Sequence, residues 1–196
     1  QIELEASDDK IDLEASDHKI EQYINQLNLS KNFVLTIARL VNYKRVDLAI
    51  KACAETKIPL VVVGAGPEKR RLINLANKIG SETTFLENQP QAVVNHLLKK
   101  ATVTLNPGID DFGLVPIQAN YFGTPAVLNK YSGVAELVKH KTHGIHHEKM
   151  TVESVSEALN TAFATEFDSN LLKSDAKQYN KAQFLKKIKN VVKKLL

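Results

Sequence analysis

The stretch TVTLNPGIDDFGLVPIQANYFGTPAVL, residues 102–128, joins two short apolar runs through a polar loop and a segment of helical period. Thr102–Leu105 and Ala126–Leu128 are β-rich and lack polar alternation, the mark of strands buried on both faces. Between them, Val115–Phe122 repeats its apolar positions at helical spacing. Pro116 falls in its first turn, where the missing N–H of proline is tolerated. Strand, crossover helix and strand within about 25 residues form a right-handed parallel unit.

The unit recurs upstream. Phe33–Ile37, Leu60–Val63 and Thr83–Leu86 read as strands, with helices predicted over Val46–Glu55, Glu68–Ile79 and Ala92–Lys99. Downstream, helices are predicted over Val134–Val138 and Val152–Phe163. The fold class that follows is α/β, a Rossmann-like doubly wound parallel sheet, closed by an amphipathic C-terminal helix.

At 196 residues and 43% hydrophobic, the chain can build one domain with its own core. The predicted division is an acidic connector arm with a short helix over 1–31 and a domain over 32–196, its basic helix starting near 181. The arm carries a near-duplicate, IELEASDDK at 2–10 and IDLEASDHK at 11–19, and then the amphipathic spacing Ile20, Ile24, Leu27. Cys53 is the single cysteine, which excludes an internal disulfide and points to a reducing, cytoplasmic setting. No stretch reaches the ~20 apolar residues of a membrane span.

The net charge of +4 is unevenly spread. Residues 1–21 carry −6, residues 173–196 carry +7, and the remaining 22–172 carry +3. A basic tail is a different signal from a basic face across a domain, so nucleic acid is not an expected partner. In the tail, Phe184, Ile188, Val191, Val192 and Leu195 recur at helical spacing among lysines, a pattern suited to docking on protein or to the inner face of an anionic membrane.

Open α/β sheets bind ligands outside the carboxyl ends of their strands, so the loops after the strands hold the candidate site. After the first, Ala38–Arg45 holds Arg39, Lys44 and Arg45 beside a helix N-terminus, a setting for phosphate. After the second, VVVGAGPEK places Gly64 and Gly66 in a tight turn. This is close to the dinucleotide fingerprint G-x-G-x-x-G/A, and Glu87 stands where that fingerprint has its ribose-binding acid. Lys69, however, occupies the position the fingerprint reserves for a small residue. In the loop after Leu105, Asp110 and Gln118 can span a polar ligand, and Phe112 and Gly113 bring main-chain amides to the helix mouth. Asp110 and Asp111 also suit helix capping. His140, His143, His146 and His147 lack the thiolate or carboxylate partners of a metal site and read as a polar loop.

Taken in order, ARLVNYKRVDLAIKA, VVVGAGPEKRRL, NPGIDDFGLVPIQANYFGTPAVL and SGVAELV resemble the C-terminal, donor-binding half of retaining glycosyltransferases of the GT-B fold. That is the group 1 family, which includes glycogen and sucrose synthases and bacterial mannosyltransferases. The resemblance runs from about Asn32 to Phe163.

The resemblance implies that Arg39 and Lys44 neutralise the donor pyrophosphate. It implies that Asp110 and Gln118 stand at the ends of the family's E-x7-E motif, facing the transferred sugar and the ribose. Phe112, Gly113 and Leu114 then meet the sugar and distal phosphate, Glu87 and Asn88 lie where the base is held, and Gly64 and Gly66 line the donor site. The donor would be GDP-mannose or a UDP-hexose, with no metal cofactor, and the PGIDDFGLVPIQA spelling is similar to mannosyltransferases of polysaccharide and lipid-linked oligosaccharide assembly. Asp for Glu at 110, Gln for Glu at 118, Glu87 for Gly and Ser132-Gly133 for Gly-Gly depart from the family. With 31 residues before the first strand, the acceptor-binding domain is expected on another subunit or a missing N-terminal part. Two other functions stay open: a degenerate, non-catalytic interaction module, and an NAD- or FAD-binding domain.

Overall fold

The computed structural model describes residues 3–4 and 17–195. Six four-residue strands carry the architecture: β2 (Val34–Ile37), β3 (Leu60–Val63), β4 (Thr83–Leu86), β5 (Val103–Asn106), β6 (Ala126–Asn129) and β7 (Gly144–His147). The two-residue stub β1 (Glu3–Leu4) extends one edge. All pair in parallel, in the order β1-β4-β3-β2-β5-β6-β7. The chain therefore winds outward from β2 to β4 on one side, crosses back, and winds outward from β5 to β7 on the other. The crevice between the carboxyl ends of β2 and β5 is the topological switch point.

Alternation along the strands feeds cores on the two faces of the sheet, with Ala126 and Leu128 of β6 in a third, smaller cluster. Val34, Val62, Leu105 and Val127 pack beneath α2 (Val46–Thr56), α3 (Lys69–Ile79) and α6 (Val152–Ala164). On the opposite face, Leu35, Val61, Val63 and Leu86 pack beneath α1 (Asp17–Gln26), α4 (Gln91–Lys100) and α5 (Leu114–Phe122). Leu35 is fully buried, so truncating it to Ala is expected to cost about 2–5 kcal/mol. Thr36, the one polar residue of β2, is tolerated because its hydroxyl donates to Leu105 O at 2.9 Å.

Three expectations change. The His140–His147 segment is not a polar loop: Gly144–His147 forms the edge strand β7, with Asn129 and His147 in register. Its sequence GIHH hides this, because the strand is held by backbone pairing rather than by an apolar run. Gly144 makes the pairing possible, since a Cβ there would meet Ala126 O at 1.9 Å. The histidines satisfy local groups. His143 Nδ1 accepts Lys139 N–H, which leaves Nε2 to donate to Asp175 Oδ2 at 3.0 Å.

The predicted helix Val134–Val138 is a single 3-10 turn, Gly133–Glu136, because its amino end is tied to the neighbouring loop described below. A helix absent from the sequence reading, α7 (Ser169–Ala176), packs on α5, its N-cap Asp168 accepting from Asn170 and Leu171 N–H. The short helix expected in the connector arm is α1, whose Ile20, Ile24 and Leu27 are buried in the second core. Most of the duplicated nonapeptide lies outside the described residues.

Candidate functional site

Four loops meet at the switch point. Loop 38–45 leaves β2 as an extended segment, makes a 3-10 turn over Asn42–Lys44, and enters α2 through Arg45 in a left-handed conformation. Its three cations have different fates. Arg45 forks onto both carboxylate oxygens of Asp47 at 3.1 and 3.2 Å, which fixes it at the start of α2. Lys44 Nζ lies 2.7 Å from Asp110 Oδ1, across the crevice. Arg39 is exposed and has no ion-pair partner among the described residues.

Gly64 and Gly66 are brought to this loop by packing. A Cβ on Gly64 would sit 1.9 Å from Ala38 O, and one on Gly66 would sit 2.4 Å from Leu40 O. Leu40 N–H donates to Ala65 O at 2.8 Å, and Leu40 O accepts Glu68 N–H at 3.0 Å. The two glycines therefore hold the backbone on either side of Arg39.

The loop after β5 is braced the same way. A Cβ on Gly108 would fall 2.3 Å from Tyr43 O, so only glycine lets this loop lie on the Tyr43–Lys44 main chain. From the far side, Ser132 Oγ accepts Asp110 N–H at 3.2 Å and lies 3.3 Å from Gly108 O, and Gly133 N–H donates to Asp110 O at 2.9 Å. Asp110 is thus fixed at both main-chain groups, and its side chain, 11% exposed, faces Lys44, 23% exposed. It is not the cap residue of α5: the N-cap is Gly113, at φ 75°, and no side-chain cap bond is formed there among the described residues. Phe112 and Leu114 are exposed at the helix mouth, and Gln118 is exposed one turn further along.

Glu87 and Asn88, at the end of β4, lie on the flank. Lys69 Nζ pairs with Glu87 Oε2 at 2.8 Å, joining the two residues that argued for and against a dinucleotide site. Gln89 Nε2 donates to Glu87 O, and Tyr23 of α1 donates to Gln89 Oε1, so α1 supports this loop.

Gly108, Ser132 and Gly133 acquire roles that sequence reading did not assign, although each stands next to a quoted motif. Asn106 Oδ1 and Asn129 Nδ2, at the carboxyl ends of β5 and β6, are buried without a hydrogen-bond partner among the described residues. Among those residues no three His, Cys, Asp or Glu side chains group as metal ligands.

The profile of Glycosyl transferases group 1 matches residues 17–183. The chain belongs to this family. It is 28% identical over 122 residues to the uncharacterized glycosyltransferase MJ1607 of Methanocaldococcus jannaschii, covering 59% of this chain and 31% of that protein. It is 31% identical over 130 residues to the D-inositol 3-phosphate glycosyltransferase of Acidothermus cellulolyticus, covering 57% of this chain and 29% of that protein. Its fold matches Anabaena Alr3699/HepE in complex with UDP-glucose at a TM-score of 0.77 and 22% identity, over 91% of this chain and 53% of that one. The chain spans under a third of the length of these curated relatives and about half of this solved structure.

Membership agrees with the geometry at Lys69. Lys69 stands where a dinucleotide fold places a small residue, and it pairs with Glu87, the acid at that fold's ribose position.

Proposed function

We propose that the crevice binds the diphosphate of a nucleotide sugar, and that the chain is the donor half of a retaining hexosyltransferase. The observation that supports this reading is the partly buried Lys44–Asp110 pair at the β2–β5 switch point, with Arg39 exposed on the loop that carries Lys44. Arg39 offers a planar fork for phosphate and Lys44 a compact charge, and together they accept the negative charge that builds on the diphosphate as its bond to the sugar carbon breaks. Two positioned cations can do this without a divalent metal.

Asp110 has two states in this account. Unliganded, it neutralises Lys44; when the diphosphate takes Lys44, the carboxylate is released toward the sugar. Asp is one methylene shorter than the family's Glu, and it suits this exchange because its main chain is already braced by Ser132 and Gly133. Phe112, Gly113 and Leu114 line the path to the sugar, Gln118 accepts from ribose hydroxyls, and Glu87 and Asn88 flank the base.

Within this reading we favour a mannosyl donor carried by GDP, for polysaccharide or glycolipid assembly, on the spelling of residues 107–119. A UDP-hexose is the competing donor, in keeping with the UDP-glucose complex of the structural relative. The acceptor would be held by a second domain, on further sequence or another subunit. A second reading, a non-catalytic interaction module, is favoured by Gln118 in place of an acid and by the tied-up Glu87.

Single-turnover hydrolysis of GDP-mannose and UDP-glucose by the full chain separates the two. Release of GDP that is lost in Asp110→Asn supports the enzyme. Nucleotide binding without any turnover, also in the presence of an acceptor-domain partner, supports the module.

A further inference from the structure

The function proposed above uses the carboxylate of Asp110; what holds its brace lies one strand away. The bracing turn begins at Asn129, the last residue of β6, which is fully buried. Asn129 Oδ1 accepts Tyr131 N–H at 2.9 Å, and Asn129 O accepts Ser132 N–H at 3.0 Å. The first bond, from a side chain to the amide two residues on, is an Asx turn, a local substitute for a backbone turn. The brace itself follows at once, as Ser132 Oγ accepts Asp110 N–H and Gly133 N–H donates to Asp110 O. A Cβ on Gly133 would sit 1.9 Å from Asp111 O, so the turn is pressed against the Asp110–Asp111 main chain. Asn129, its turn and Asp110 are thus linked by consecutive hydrogen bonds.

The Asn129 amide is itself oriented from the neighbouring strand. Asn129 and His147 are register partners on β6 and β7, so their side chains share one face of the sheet. Both residues are buried, and Asn129 Nδ2 and His147 Nε2 have no hydrogen-bond partner among the described residues. His147 Nδ1 lies 3.1 Å from Lys149 O, which requires the proton on Nδ1 and leaves Nε2 of the neutral ring an acceptor. A donor therefore stands beside an acceptor. A flipped amide would set an oxygen beside that lone pair and an NH2 group against Tyr131 N–H, so Oδ1 is kept toward the turn.

We infer that Asn129 is a positioning residue for Asp110: its side-chain oxygen sets the turn after β6 that holds both main-chain groups of Asp110. The effect on chemistry rests on the hexosyltransferase reading; the brace does not. Two replacements tell positioning from packing. Leu is close to Asn in shape and suits a buried site, but it has no oxygen for Tyr131 N–H. Asp keeps that oxygen and buries a charge, which destabilises the fold. Packing alone ranks Leu the better replacement, whereas positioning ranks Asp.

The test is a series in the full chain, Asn129→Asp, Asn129→Ser and Asn129→Leu. Each is compared with the native chain in single-turnover hydrolysis of GDP-mannose and UDP-glucose, affinity for GDP and UDP, melting temperature, and amide exchange by NMR. Hydrolysis is expected within about threefold of native for Asp and slower by about tenfold or more for Leu, with diphosphate affinity held within about threefold throughout. Ser should fall between them, because its hydroxyl forms the same turn more weakly. Amide exchange at Asp110 and Gly133 should quicken by about tenfold or more in the Leu variant while that of β5 and β6 holds. Should Asn129→Asp fail to fold, Asn129→Ser against Asn129→Leu carries the same comparison. Hydrolysis that follows melting temperature rather than the oxygen at position 129 would overturn the positioning role, as would unchanged exchange at Asp110 and Gly133 in the Leu variant. A native chain that releases no nucleotide overturns the hexosyltransferase reading instead, and exchange at Asp110 and Gly133 then decides the brace by itself.

Discussion

Two ion pairs of nearly equal length sit at the carboxyl edge of the sheet. Lys44–Asp110 spans 2.7 Å across the β2–β5 switch point, and Lys69–Glu87 spans 2.8 Å on the flank beside β4. Distance does not distinguish them; surroundings do. Asp110 is held by Ser132 and Gly133 through its own main chain, and Lys44 by Gly108 packed on its backbone. Glu87 is about three times as exposed as Asp110, and its loop includes a left-handed Asn88 open to solvent. A braced pair at the switch point and a looser pair at the rim should therefore respond differently to substitution.

Variants should pull the two pairs apart. Lys44→Ala is expected to weaken binding of a nucleoside diphosphate by about 10–100-fold, the worth of one charge-assisted contact, as read by calorimetry. Asp110→Asn should act in the opposite sense, tightening the diphosphate several-fold because Lys44 no longer has a competing partner, while suppressing donor hydrolysis. A weaker diphosphate in Asp110→Asn would contradict the exchange between carboxylate and phosphate. Lys69→Ala should change diphosphate affinity by no more than about twofold and stability by about 1 kcal/mol or less, as for exposed pairs. An effect matching that of Lys44→Ala would erase the distinction.

The smallest effect concerns the other half of the sheet. His147 is buried on β7, and burial pushes its pKa below the usual 6.5. The folded chain then holds it neutral while the unfolded chain takes up a proton first, so stability rises with pH through that window and is lost as pH falls below about 6.5. His147→Val, which keeps a strand-forming residue, should flatten the fall in melting temperature between pH 7 and 5. An unchanged slope would show that other groups carry it.

The same division governs what the sequence revealed. β2 to β6 were legible because LTI, LVVV, TFL, VTL and AVL are apolar runs that only a doubly buried strand explains. β7 was not, because GIHH earns its place through backbone pairing and the absent Cβ of Gly144. The Asp168 cap of α7 was present in the sequence but followed by too weak an apolar period to claim a helix. In the site, Arg39, Lys44 and Asp110 could be named from loop position and resemblance, yet the pairing of the last two depends on loops 66 residues apart meeting over Gly108. The brace by Ser132 and Gly133 was illegible for a like reason, since it is a contact between the β5 and β6 loops.

The central claim is that the switch-point crevice takes a nucleoside diphosphate through Arg39 and Lys44. Calorimetric titration of the full chain with GDP, UDP, ADP and NAD, repeated on the Arg39→Ala plus Lys44→Ala variant, tests it most directly. The account predicts binding of GDP or UDP by the native chain, weakened by about 100-fold or more in the variant as two charge-assisted contacts go. Binding of NAD alone, or a diphosphate bound equally by both proteins, would contradict it.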